Sequence, residues 1–165
     1  MLGPPYKCVV ILTCALALAL AGCGGKQSGS HQHRHKHVVL VHASLGFGAF
    51  QRFIWLPAQA GKLSDSLSPA VKDGSTAATF AYRQLSLAAH QVQRSKRLAA
   101  LFAPLEVTAD KLKALAPALS RPGSLTQIKA IHGTLTRLAA TAKHNGARIV
   151  YASLAKIAAA GGPRA

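Results

Sequence analysis

Apolar residues recur at helical spacing along residues 81–142. They are separated by steps of three, four or seven residues, which place apolar side chains on one face of a helix. Three stripes follow this period: Ala81, Leu85, Ala88, Val92, Ala99 and Phe102, with Ser95 as a polar member; Leu105, Leu112, Leu115 and Leu119; and Leu125, Ile128, Ile131, Leu135, Leu138 and Ala142. The pattern predicts three helices, each with one buried face.

Turn-forming residues separate the stripes. Residues 64–75 are rich in Ser, Asp, Pro and Gly, Pro104 ends or kinks the first helix, and SRPGS precedes the third. We expect Ser124 to cap the third helix and Asn145 or Gly146 to adopt the left-handed conformation that ends it.

The chain on either side of these stripes also favours helices. Phe47, Phe50 and Ile54 are spaced to share a helical face. A short last helix is supported by Ile149, Val150, Leu154 and Ile157. Since no strong strand pattern follows residue 64, we predict an all-α fold, an antiparallel helical bundle of about four helices.

The first 22 residues have the pattern of an export signal. One basic residue, Lys7, precedes the uncharged stretch 8–20, and small residues follow it. This stretch is too short to cross a bilayer comfortably, which takes about 20 apolar residues. We therefore predict a signal peptide over residues 1–22.

The end of this signal, Leu20-Ala21-Gly22-Cys23, resembles the lipobox of bacterial membrane lipoproteins. The resemblance implies that Cys23 receives a diacylglycerol, that the chain is cut before it, and that the new N-terminus is often acylated. It also implies an extracytoplasmic protein anchored to a bacterial membrane. Gly24, where an Asp would favour inner-membrane retention, permits outer-membrane delivery in a cell with two membranes. The alternative is an ordinary cleavage site that leaves Cys23 as a free thiol.

The cysteine positions favour lipidation. Cys8 and Cys14 lie inside the predicted signal, so Cys23 is the one thiol of the mature chain and cannot form an internal disulfide. A free thiol is a liability in an oxidising compartment, and lipidation removes it.

The predicted mature chain is strongly basic. Loss of residues 1–22 removes one of the 20 Lys and Arg residues and none of the 4 acids, which leaves about +15. Such a charge favours anionic partners. For an exported protein these are anionic lipids or acidic envelope polymers, and nucleic acid is not expected as a partner.

A polar stretch, residues 23–37, separates the predicted anchor from a basic Ala/Leu-rich domain over 38–165. It begins with Gly and Ser and continues as HQHRHKH, so we expect a flexible tether. If this tract is extended, alternate side chains point the same way and could bind Zn, Ni or Cu(II). The histidines concerned are His31, His33, His35 and His37. We favour a polar spacer, because Arg34 and Lys36 repel a cation.

The aromatic segment, residues 47–57, holds the only Trp of the chain. Phe50, Arg52 and Trp55 could contact a membrane interface or a protein partner. We favour the interpretation that this segment is the first helix of the bundle and that its aromatics fill the bundle core, because aromatic stripes at helical spacing are usually buried. A transmembrane helix over 38–56 is disfavoured, because it would contain a charged arginine.

The sequence gives little indication of an enzymatic activity. The chain has 4 acids and no GxSxG, HExxH, phosphate-loop or dinucleotide motif. Our first hypothesis is therefore a non-enzymatic envelope lipoprotein that binds an anionic envelope component or a protein partner. The alternatives are a metal-binding lipoprotein without any other cofactor and an enzyme of unrecognised type.

Overall fold

A computed structural model describes residues 27–95 and 98–164, with side chains described from His35 onward. The elements are α1 (Gln27–Phe50), a π-helical segment (Gln51–Trp55), α2 (Leu56–Gln59), α3 (Pro69–Val92), a 3-10 turn (Ala99–Leu101), α4 (Phe102–Leu115), a 3-10 turn (Ala116–Ala118), α5 (Ser124–His144) and α6 (Leu154–Ala159). Within those two ranges there is no β-strand, and the predicted all-α fold is confirmed.

Four long helices pack into one bundle. α1 packs mainly against α3, α3 also packs against α4, and α4 packs against α5. The π-helical segment contacts α5 and so closes the arrangement, while α6 lies against α1. The stripe of α5 is buried as predicted except for Leu125, which is 46% exposed.

The first predicted stripe is not one helix. α3 ends at Val92, the chain turns through the buried Ser95, and Leu98 and Leu101 enter the core instead of Ala99. Pro104 lies in the first turn of α4, where a proline costs little because that N–H has no partner inside the helix. The proline is therefore compatible with the start of a helix.

Two helices begin at different residues from those predicted. α3 starts at Pro69, inside the predicted loop 64–75, and the Ser68 hydroxyl accepts a 3.3 Å hydrogen bond from the backbone N–H of Val71. A serine cap followed by proline at the first helical position is a strong start signal. α5 has Gly123 before its first residue, Ser124, so Ser124 is helical and does not cap it.

The predicted flexible tether is helical over the part that the structure describes. α1 begins at Gln27, so residues 27–37 lie in the same helix as the start of the predicted domain. Once the buried part of α1 has formed, each added residue gains one hydrogen bond. Residues 31–37 are all Gln, His, Arg or Lys, which do not stop that extension as Pro would.

The predicted last helix is shorter than expected. Residues 147–153 have no regular structure, and α6 begins at Leu154. Gly146 takes a positive φ of 69°, and Ala147 N–H donates to Ala142 O at 2.8 Å. This left-handed cap ends α5 and directs the following chain along α1.

Candidate functional site

Backbone contact joins the C-terminal segment, residues 147–153, to α1. The N–H of Ala152 donates a 3.0 Å hydrogen bond to the carbonyl oxygen of Ser44. A Cβ atom on Gly48 would lie 2.7 Å from both the N and the O of Ala152. The glycine therefore creates the space in which the segment docks.

A groove lies beside this docked segment. It has a volume of about 740 Å³, with walls formed by α1, the C-terminal segment and α6. Leu40, Val41 and Leu45 contribute from α1, and Val150 and Tyr151 from the segment. A pocket of this size and composition falls within the range of small-molecule sites.

The aromatic segment forms a second feature, centred on His132 of α5. The imidazole of His132 stacks on the indole of Trp55, with ring centroids 3.8 Å apart and planes 7° apart. Phe50 lies further away, with its centroid 6.5 Å from that of His132. The π-helical segment ends at Trp55 and carries this ring to the contact with α5.

The structure divides the three residues expected to contact a membrane or partner. Phe50 is 1% exposed and lies in the core, so it cannot make such a contact in this fold. Arg52 and Leu56 are exposed, and Trp55 is half-buried. Core packing therefore accounts for Phe47, Phe50 and Ile54, while Arg52 and part of Trp55 remain accessible.

The stretch His35–Gln59 is long and apolar enough to cross a membrane by length and composition. More than half of its most apolar window is buried inside the bundle. The same length and composition occur in the core helix of a soluble protein.

The predicted metal ligands lie on α1 and not on an extended strand. His31 and His33 lie where the structure describes the backbone alone, while His35 and His37 are described in full. Residues two positions apart on a helix point about 200° apart, so helical geometry separates His35 from His37. Among the fully described residues no group of three metal-binding side chains comes together. His35 and His37 therefore lack the extended geometry on which the metal-binding interpretation depends.

The predicted lipidation residue, Cys23, and the predicted signal over 1–22 lie outside the described residues. Their assignment remains a prediction from the sequence.

A partly buried polar pair joins α1 to α3, and no sequence signal singled it out. His42 Nδ1 lies 2.7 Å from Gln84 Oε1, and Gln84 is 9% exposed. Because the amide oxygen accepts, this geometry assigns the ring proton to Nδ1. Gln84 lies off the apolar stripe, so periodicity alone gives no reason to expect its burial.

The largest electrostatic feature is the charge of the last third of the chain. Residues 111–165 contain no Asp or Glu. All nine of their basic residues are exposed: Lys111, Lys113, Arg121, Lys129, Arg137, Lys143, Arg148, Lys156 and Arg164. Acidic side chains of this region therefore cannot neutralise any of these cations.

Two of the four acids of the chain line a small polar pocket. Glu106 and Asp110 of α4 face Tyr82, Ser86 and His90 of α3 across about 230 Å³. Lys113 lies over the ring of Tyr82, with its Nζ 5.4 Å from the ring centroid.

Comparison of the chain with protein-family models, with curated protein sequences and with solved structures gives no match.

Proposed function

We propose that this protein is a non-enzymatic envelope lipoprotein, anchored through Cys23, whose helical domain binds an anionic component of the cell envelope. The observation that carries the binding part is the acid-free region 111–165 with its nine exposed cations. Each basic residue near an anionic membrane surface contributes about 1 kcal/mol of attraction. Headgroup phosphates and acidic polymers offer the same chemistry to these side chains.

The anchor part of the proposal is supported by the lipobox-like residues 20–23 and by the absence of any cysteine after Cys23. Two acyl chains give stable membrane residence, whereas one is marginal. An anchor of this kind would hold the cationic domain near the headgroups, and charges act more strongly the closer they lie to an anionic surface.

The anchor is tested by mass spectrometry of the N-terminal peptide from native membranes. We expect a peptide that starts at residue 23 and carries a diacylglyceryl group. The Cys23→Ser variant should leave the membrane fraction, and the matched Cys14→Ser variant should stay in it. A start methionine without any acyl group would refute the anchor and the export that depends on it.

The charge is tested with vesicles, on a chain that starts at residue 23 and carries Cys23→Ser so that no lipid contributes. It should bind phosphatidylglycerol vesicles, bind phosphatidylcholine vesicles far more weakly, and lose affinity as salt is raised. Replacing Lys129, Arg137 and Lys143 by serine removes three cations from the acid-free region. Affinity should fall by up to about 100-fold.

The matched control removes three exposed cations outside the acid-free region, Lys62, Lys72 and Arg94. Its charge change is identical, but Lys62 and Lys72 lie near Asp65 and Asp73 in the chain. We expect a clearly smaller loss of affinity. Equal losses in the two variants would show that net charge alone acts, and would remove the assignment to region 111–165.

A further inference from the structure

The groove between α1 and the C-terminal segment collects exposed apolar side chains. Val41 is 42% exposed, Val150 is 59% exposed and Tyr151 is 48% exposed, and all three line it. Single exposed apolar residues are ordinary on protein surfaces. Three that converge on one groove of about 740 Å³ indicate a binding surface.

The two ends of the groove, which follow one another along α1, are lined by different residues. Lys36 Nζ donates to Gly146 O at one end, and Ala152 N–H donates to Ser44 O towards the other. The C-terminal segment therefore runs in the same direction as α1 and brings Arg148 towards the end where His37 lies. Lys156 of α6 adds a second cationic side chain to the lining.

Nothing in the nearby sequence neutralises these cations. Neither residues 1–64 nor residues 111–165 contain an acid, and every wall of the groove comes from these two stretches. The charge is thus complementary to an anionic group at the end where Arg148 lies, with apolar surface continuing towards Leu45.

We propose that this groove binds one long-chain fatty acid, with the carboxylate at Arg148 and the tail along α1 towards Leu45. From His37 to Leu45 the helix rises by about 12 Å. One acyl chain spans half of the ~30 Å hydrocarbon core of a bilayer, so the groove covers most of a single tail. A diacyl lipid would leave its second tail in water.

Arginine pairs with carboxylates through two parallel hydrogen bonds. The site goes beyond the cationic surface proposed above and does not require an acylated Cys23.

The test is photolabelling of the full chain in isolated membranes. The probe is a palmitic acid analogue with a mid-chain diazirine and a terminal alkyne, added without ATP or coenzyme A so that it is not esterified to protein. We expect labelled peptides that cover residues 40–45 and 149–152. The methyl ester of the same probe lacks the charge and should label these peptides at least tenfold less.

Charge variants test whether the cations of the groove hold the carboxylate. Arg148→Glu combined with Lys156→Glu should lower groove labelling at least tenfold. The matched control, Lys62→Glu with Lys72→Glu, makes the same charge change at exposed positions outside both the groove and the acid-free region, and should retain labelling. Tryptophan emission of both variants checks that the bundle is folded.

Four results would overturn the proposal: labelling spread along the chain, equal labelling by acid and ester, stronger groove labelling by a photoreactive phosphatidylglycerol, or a covalent link between the grooves of two copies. The anchor is tested separately, by the mass of the peptide that begins at residue 23, so either proposal can fail without the other.

Discussion

Gly48 of α1 lies directly beneath the backbone of Ala152, and a Cβ at Gly48 would come 2.7 Å from two of its atoms. This contact brings the C-terminal segment against the first helix, although the two are about one hundred residues apart in the chain. The groove and its basic rim exist because the segment docks there.

Gly48→Ala should destabilise the protein by about 1–3 kcal/mol, because the added methyl group meets main-chain atoms that cannot rotate away. Urea unfolding followed by circular dichroism measures the change. Gly133→Ala is the matched control, since a Cβ at Gly133 of α5 would meet only Arg137 Nη1, at 3.8 Å. That change should stabilise the helix by about 0.5–1 kcal/mol. Equal stabilities for the two variants would contradict the close approach of Ala152.

The stack of His132 on Trp55 should contribute to the association of α5 with the π-helical segment that follows α1. His132→Ala should cost about 0.5–1.5 kcal/mol beyond the lost burial, and His132→Phe should recover most of it, since an aromatic ring can still stack. Because the chain has one tryptophan, its emission reports the surroundings of Trp55, which include this contact. His144→Ala, at an exposed position of the same helix, should change neither stability nor emission. An unchanged emission spectrum in His132→Ala would refute the stack.

The hydrogen bond between His42 and Gln84 should appear as a coupling energy between α1 and α3. In a double-mutant cycle with His42→Phe and Gln84→Met, we expect a coupling of about 0.5–1.5 kcal/mol, typical of one intramolecular hydrogen bond. Each single variant should be destabilised, because it leaves one polar partner without its hydrogen bond. Strictly additive effects would mean that the two side chains do not interact in solution.

Sequence periodicity predicted the helical class and most of the core. The stripe from Ile128 to Ala142 is buried along its whole length, because a helix with one apolar face has a single way to remove it from water. The aromatic stripe of Phe47, Phe50 and Ile54 enters the core for the same reason.

The boundaries were less predictable because the apolar period continues through a turn. Val92, Ser95, Ala99 and Phe102 keep helical spacing, yet the chain turns after Val92. A small residue such as Ala99 contributes little to burial, so Leu98 and Leu101 decide which side of the turn faces the core. Periodicity treats every apolar residue alike, so it cannot rank these residues by the apolar surface that each one buries.

The groove could not be predicted from the sequence, because it depends on contacts between distant segments. Nothing in the sequence distinguishes Gly48 from other helical glycines, and its role follows from its contact with the backbone of Ala152. Val150 and Tyr151 were expected to belong to a helix, and their exposure follows from the extended path that begins at Gly146.

That path gives a last prediction, on the cap of α5. Gly146→Ala should cost about 1–2 kcal/mol, since residues with a Cβ pay this energy in the left-handed conformation. Gly61→Ala is the matched control: both glycines have φ of 69°, and neither would bring a Cβ within 4 Å of another group. Gly61 follows α2, whereas Gly146 sets the direction of the C-terminal segment. The amide of Ala152, which donates to Ser44 O, should therefore exchange with solvent faster in Gly146→Ala than in Gly61→Ala. Amide hydrogen exchange measures the difference, and equal rates in two variants of equal stability would mean that the segment docks on α1 independently of the cap.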